Sequence, residues 1–85
     1  MKLTQTVQFR KDAKRLVKRG QDVEKLLTVV RLLRSRDRLP EPLRDHPRAG
    51  GWRGWRDCNF ESDWVLIYRI SGDELILGRT GSHSD

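Results

Sequence analysis

The spacing of apolar residues predicts an α+β domain: a helical hairpin packed on one face of a mainly antiparallel sheet, in the order β-α-α-β-β-β. Up to about residue 34 the apolar positions recur every three or four residues, and after about residue 50 they alternate or run together over strand lengths. The last three apolar segments are joined by short polar turns, which makes them antiparallel neighbours. With 85 residues there is room for one core, so a single domain over 1–85 is expected.

Lys2-Leu3-Thr4-Gln5 is a short edge strand with weak alternation. Thr6 can cap the helix that follows, whose buried stripe is Phe9, Ala13, Leu16 and Val17. Lys18 and Arg19 suit the negative end of that helix, and Gly20 stops it. Asp22 then caps a second helix with Val23, Leu26, Leu27, Val30 and Leu33 inward. Leu39-Pro40-Glu41-Pro42-Leu43 excludes regular helix, because each proline lacks a donor and restricts the residue before it. A loop from about Arg38 to Gly51 therefore carries His46. Strands are expected over about 51–60, 63–70 and 74–80, with turns at Glu61-Ser62 and Ser71-Gly72-Asp73. Val65-Leu66-Ile67-Tyr68 shows no polar alternation, so the middle strand should be covered on both faces.

Composition narrows the function. Apolar and charged residues each make up 35%, which describes a thin core under a heavily solvated surface. No apolar run approaches the ~20 residues of a membrane span, and the opening residues lack the apolar segment of a secretory signal. Cys58 is the only cysteine, which rules out an intrachain disulfide, argues against a structural zinc site and points to the cytoplasm. The net charge is +6, and it is unevenly placed: residues 1–44 carry 13 Lys/Arg against 5 Asp/Glu, whereas residues 45–85 carry 5 against 7. The basic half, with Lys14, Arg15 and Lys18 on the outer face of the first helix, fits a polyanion such as RNA. An acidic protein partner would fit the same charge.

Both histidines lie in the other half, each in a polar cluster: Asp45-His46-Pro47 and Arg79-Thr80-Gly81-Ser82-His83. Imidazoles move protons near neutral pH and guanidinium groups hold phosphate. Cleavage of RNA needs no external nucleophile, because the ribose 2′-OH attacks its own phosphate. The protein must take the 2′ proton, protonate the departing 5′ oxygen and stabilise the charged phosphorane. Period-two alternation puts Trp55, Asp57 and Asn59 on one face, with Arg56, Cys58 and Phe60 on the other. Asp45, His46, Asp57, Asp63, Arg79 and His83 could converge on the sheet face away from the helices. Arg79, Arg56 and Asn59 are candidates to contact substrate. Each residue also has a structural explanation: Asp-His-Pro is a common turn, Asp57 and Asp63 flank another, and Trp52, Trp55 and Trp64 can be core residues rather than base-stacking platforms. No HExxH, CxxC, P-loop, GxGxxG or GxSxG is present, so neither metal nor cofactor is expected.

Phe9-Arg10-Lys11-Asp12, Asp45-His46-Pro47, Gly51-Trp52-Arg53-Gly54-Trp55-Arg56-Asp57, Asp63-Trp64-Val65-Leu66-Ile67-Tyr68-Arg69 and Arg79-Thr80-Gly81-Ser82-His83, in this order and spacing, form a specific signature. The chain resembles the YafQ branch of the RelE/ParE superfamily, toxins of bacterial toxin–antitoxin systems, over nearly its whole length. The resemblance implies a ribosome-dependent mRNA endonuclease held inactive by a cognate antitoxin. It implies that His46 and His83 are the acid–base pair and that Asp57 and Asp63 are acidic site residues. Two departures stand out. Asn59 occupies a position where a close family member has a further histidine, and an amide cannot shuttle a proton. The sequence stops at Asp85, whereas family members run a few residues further to an aromatic group.

Two other readings compete: a ParE-like toxin that binds a protein target such as gyrase, and a degenerate RNA-binding domain without activity. The presence of His46, Asp57, Asp63 and His83 together favours the nuclease, because a toxin that works by binding protein has no need of two imidazoles.

Overall fold

The computed structural model describes residues 1–36, 46–47, 54–61 and 64–81. Over these the chain runs β1 (Lys2–Gln5), α1 (Val7–Lys18), α2 (Val23–Arg34), β2 (His46–Pro47), β3 (Arg56–Glu61), β4 (Trp64–Ser71) and β5 (Glu74–Gly81). The strands form one sheet in the order β1-β5-β4-β3-β2, with β1 parallel to β5 and every other pair antiparallel. This is the expected α+β architecture, with β1 on an edge and β3-β4-β5 as a meander.

Local chemistry sets the helix ends. The Thr6 hydroxyl accepts the Phe9 N–H at 3.0 Å, which satisfies one donor that the first turn leaves open. At the other end Gly20 takes φ 81; its N–H bonds Val17 O at 3.0 Å and the Gln21 N–H reaches back to Leu16 O at 3.1 Å. Those two bonds close the helix as a Schellman motif, whose left-handed position suits glycine. Asp22 Oδ1 accepts the Glu24 N–H at 3.1 Å to start α2. That helix ends on Arg36, a non-glycine at φ 58. Its Nη2 donates to Gly72 O at 3.1 Å and lies 3.4 Å from Asp73 Oδ1, so the β4–β5 turn holds the side chain in place.

The helix stripes differ from expectation by a small rotation. In α1 the buried positions are Phe9, Asp12 and Leu16, while Val17 is 56% exposed. Asp12 turns inward because β5 has a use for its carboxylate, as described below, and that rotation carries Val17 outward. In α2 Leu26, Val29, Val30 and Leu33 are buried and Leu27 is exposed, a stripe at i, i+3, i+4 and i+7 that leaves Leu27 on its flank.

His46 is not in a loop. With Pro47 it forms a two-residue edge strand, His46 opposite Asp57 and Pro47 opposite Arg56. An edge tolerates proline because one side of the strand needs no donor. β3 begins at Arg56 rather than near Gly51: Gly54 stands in a turn at φ 84 ahead of it.

Phe9, Leu16, Leu26, Val29, Val30 and Leu33 from the helices close on Cys58, Trp64, Leu66, Tyr68, Leu75 and Leu77 from the sheet. Val65 and Ile67 are buried as well but stand apart from that core, since alternation turns them to the opposite face. The middle strand is thus covered on both faces, as its unbroken apolar run implies.

Candidate active site

Strand pairing places His46, Asp57, Ile67 and Arg79 in one row across four strands: His46 opposite Asp57, Asp57 opposite Ile67, Ile67 opposite Arg79. Residues paired across a sheet share a face, and this is the face that Ile67 shows to the side away from the helices. His46 Nε2 lies 3.8 Å from Asp57 Oδ2, an ion-pair separation when the imidazole is protonated. Asp57 is largely buried, at 15% side-chain exposure, while His46 is half exposed, at 52%. A fixed carboxylate thus stands beside an accessible imidazole.

The next row is Asn59, Val65 and Gly81. Asn59 Oδ1 is buried and has no hydrogen-bond partner among the described residues. Arg56 is placed differently: it is in register with Tyr68, a core residue under the helices, so it lies on the face opposite Asp57. Asp63 and His83 lie outside the described residues, as do Asp45 and Trp52.

Arg79 owes its position to a break in β5. Pairing with β4 shifts by one residue between Ile67 and Tyr68, which leaves Gly78 as a bulge. The Trp55 ring lies directly on Gly78, where a Cβ would collide with it. β1 also ends early, at Gln5 opposite Leu77, so among the described residues the outer edge of β5 has no strand neighbour beyond that point. The start of α1 takes over. Thr6 N–H donates to Leu77 O at 3.1 Å, the Thr6 hydroxyl donates to Gly78 O at 2.7 Å, and Asp12 Oδ2 accepts the Thr80 N–H at 3.3 Å.

Asp12 is the site residue that sequence reasoning missed. Its carboxylate is 1% exposed and accepts from Gln8 Nε2 at 3.1 Å, Arg15 Nη2 at 2.7 Å, Arg79 Nε at 3.2 Å and Arg79 Nη2 at 3.4 Å, besides the Thr80 amide. Burial pushes its pKa up, but the hydrogen bonds from Arg79, Gln8 and Thr80 and the Arg79 charge outweigh burial and hold it below the ordinary value of 3.8. The signal was available: an acidic residue between Phe9 and Leu16 on the apolar stripe of a helix. Thr80 extends the network, its hydroxyl accepting from Trp64 Nε1 at 2.8 Å and donating to Val65 O at 3.0 Å. Lys14 and Lys18 are exposed on α1, and Arg15 is partly committed to Asp12.

The sign of the Asp12 shift makes a testable statement. A carboxyl lowered by folding contributes stability that is complete above its ordinary pKa and is lost as pH falls through the lowered folded value. Wild type should therefore be more stable than Asp12→Asn near pH 6, and the gap should close on acidification below about pH 4. Denaturant titrations at both pH values check this, and a gap independent of pH would mean the charge of Asp12 contributes nothing.

Over residues 1–85 the sequence matches the family described as bacterial toxin of type II toxin–antitoxin system, YafQ. The chain belongs to the YafQ family. The mRNA interferase toxin YafQ of Escherichia coli K12 is 41% identical over 78 residues, which is 91% of this chain and 85% of that protein. YafQ in the E. coli DinJ–YafQ toxin–antitoxin complex superposes with a TM-score of 0.89 at 38% identity, covering 96% of this chain and 91% of that one. A copper-bound mutant toxin from Helicobacter pylori superposes with a TM-score of 0.94 at 38% identity, covering 99% and 96%. In the YafQ-family chain described here, no three His, Cys, Asp or Glu side chains among the described residues are placed to hold a metal ion. Nor is any helix among them long and apolar enough to cross a membrane.

Proposed function

We propose that this YafQ-family toxin is an endoribonuclease that cuts messenger RNA on the ribosome and stops translation. The observation that carries the reading is the row of His46, Asp57 and Arg79 across one sheet face, with imidazole and carboxylate 3.8 Å apart. The names of its relatives support it: an mRNA interferase in E. coli, and a complex of that toxin with its antitoxin. A cognate antitoxin is accordingly the protein partner, and the cytoplasm, where ribosomes translate, is the place of action.

The chemistry follows from RNA itself. The 2′ oxygen attacks the adjacent phosphorus as its proton leaves, and the P–O5′ bond breaks as the 5′ oxygen gains a proton. The products are a 2′,3′-cyclic phosphate and a 5′-hydroxyl. His46 and His83 serve as base and acid, with Asp57 and Asp63 orienting the rings. Arg79 stabilises the charge that builds on the phosphorane, and Asn59, one row along from Asp57 on the same face, is a further candidate substrate contact. Because the nucleophile is internal and imidazoles carry the protons, the scheme requires no metal and no cofactor. Primer extension on messages translated with the protein, wild type against His83→Ala, is the direct test. Intact messages during full growth arrest would sink the nuclease and leave the gyrase-type toxin in its place.

Docking is a separate matter from cutting. Lys14 and Lys18 are exposed on the basic helical half and are not partners of Asp12. Replacing both with glutamate is expected to weaken ribosome association and flatten its salt dependence, since fewer counterions leave on binding. Sedimentation with ribosomes across a salt series measures this; an unchanged slope would move the docking surface elsewhere.

A further inference from the structure

Asp12 does more than fill the edge of β5. A carboxylate on the apolar stripe of a helix is costly to bury, and exchanging a buried ion network for apolar groups often costs no stability. The charge of Asp12 stabilises the network as built, but an apolar side chain would avoid the cost of burying a charge, so stability does not by itself explain an aspartate here. Its geometry suggests a further reason. Gln8 and the Thr80 amide fix the carboxylate, and against it lie two guanidinium groups whose Nη2 atoms share Oδ1. The anion is inside, at 1% exposure, while the Arg15 and Arg79 side chains are 43% and 44% exposed.

One carboxylate facing two guanidinium groups leaves a local positive charge pointing outward. Arg79 meets Asp12 through Nε and Nη2. Of the five N–H groups of a guanidinium, the Nη1 pair and the second Nη2 hydrogen are left over. Among the described residues these donors have no other hydrogen-bond partner. That is the edge with which arginine grips phosphate in bidentate fashion. The backbone of Arg79 lies in the same row as His46 and Asp57, so this cationic pair sits at the end of the proposed active face.

We propose that Asp12 is a positioning residue, which locks Arg15 and Arg79 side by side as a clamp for one phosphate of bound RNA. Arg15 thereby becomes a second phosphate contact, brought from α1 to β5 by a shared carboxylate. The proposal rests on the nuclease reading, and it also assigns a place on the protein that can be probed without cleavage.

A short RNA with 2′-O-methyl riboses, unable to attack itself, is the probe. Titrated into the isolated wild-type protein, it should shift the Nε–Hε NMR signals of Arg15 and Arg79 together. Asp12→Asn should bind it about fivefold more weakly or worse, in keeping with a lost charge-assisted contact. Shifts confined to other residues would overturn the clamp. This titration needs no variant, so the proposal stays testable even should Asp12→Asn fail to fold. On translating ribosomes, Asp12→Asn should cut about tenfold more slowly with Arg79 present but lose clearly less in an Arg79→Ala background, where only Arg15 is left for Asp12 to position. An equal loss in both backgrounds would make Asp12 a purely structural residue and overturn the proposal, while the nuclease stands. Absence of cutting by wild type would remove the nuclease reading alone, and the RNA titration would still decide the clamp.

Discussion

Replacing His46 or His83 with alanine is expected to lower message cleavage by about 10²–10⁴, the range for a lost general acid or base. The fold should survive both changes. His46 is 52% exposed and sits in a two-residue edge strand, so truncation removes little packing. Surface changes of this kind usually fall within about 0.5 kcal/mol. The kinetic effect should then exceed the structural one by several kcal/mol. Single-turnover cleavage on translating ribosomes gives the rate, while a thermal melt and antitoxin binding confirm an intact protein. A His83→Ala protein that cut at near wild-type rate would make the C-terminal histidine a bystander, and the acid–base assignment would have to be rebuilt around His46 and the aspartates.

The largest stability loss is expected from Leu66→Ala. Leu66 is fully buried at the middle of β4, between Cys58 on β3 and Thr80 on β5, and belongs to the core under the helices. Truncating such a leucine costs about 2–5 kcal/mol, through lost transfer energy and the cavity left behind. A chain of this size is stabilised by roughly 4–13 kcal/mol in total. The melting temperature should therefore drop by at least about 10 °C. Bound antitoxin should return part of that loss, because a ligand of the native state stabilises it by mass action. A drop of only a few degrees would mean that β4 repacks around the missing side chain.

Much of this arrangement was legible in the sequence because it depends on local rules. Thr6 and Asp22 cap helices through their own side chains, Gly20 stops one by adopting a left-handed backbone, and the turn around Gly72 forces an antiparallel pair. What escaped depends on neighbours distant in sequence. Asp12 faces inward because β1 stops at Gln5 and leaves the Thr80 N–H of β5 for its carboxylate to accept, a partner 68 residues away along the chain. The strand at His46 has no signal in the sequence because two residues are too few to show a strand period; only β3 makes them one. For Arg56 the period-two alternation is enough: it puts the residue on the face opposite Asp57, where strand pairing with Tyr68 also has it. The pairing of Asp57 with His46 had no signal in spacing at all, although both residues stood out by their chemistry.

Gly78 bears on how a bacterial lineage could escape this protein. For a cell forced to make the toxin without its inhibitor, damage to the toxin gene is one route back to division. Random mutation finds such damage most readily where many different changes are all harmful. Gly78 is a position of this kind: it lies on the strand that carries Arg79, and any other residue there would push its Cβ into the Trp55 ring. Survivors of forced expression should accordingly collect missense changes at a codon whose residue has no side chain and takes no part in the chemistry.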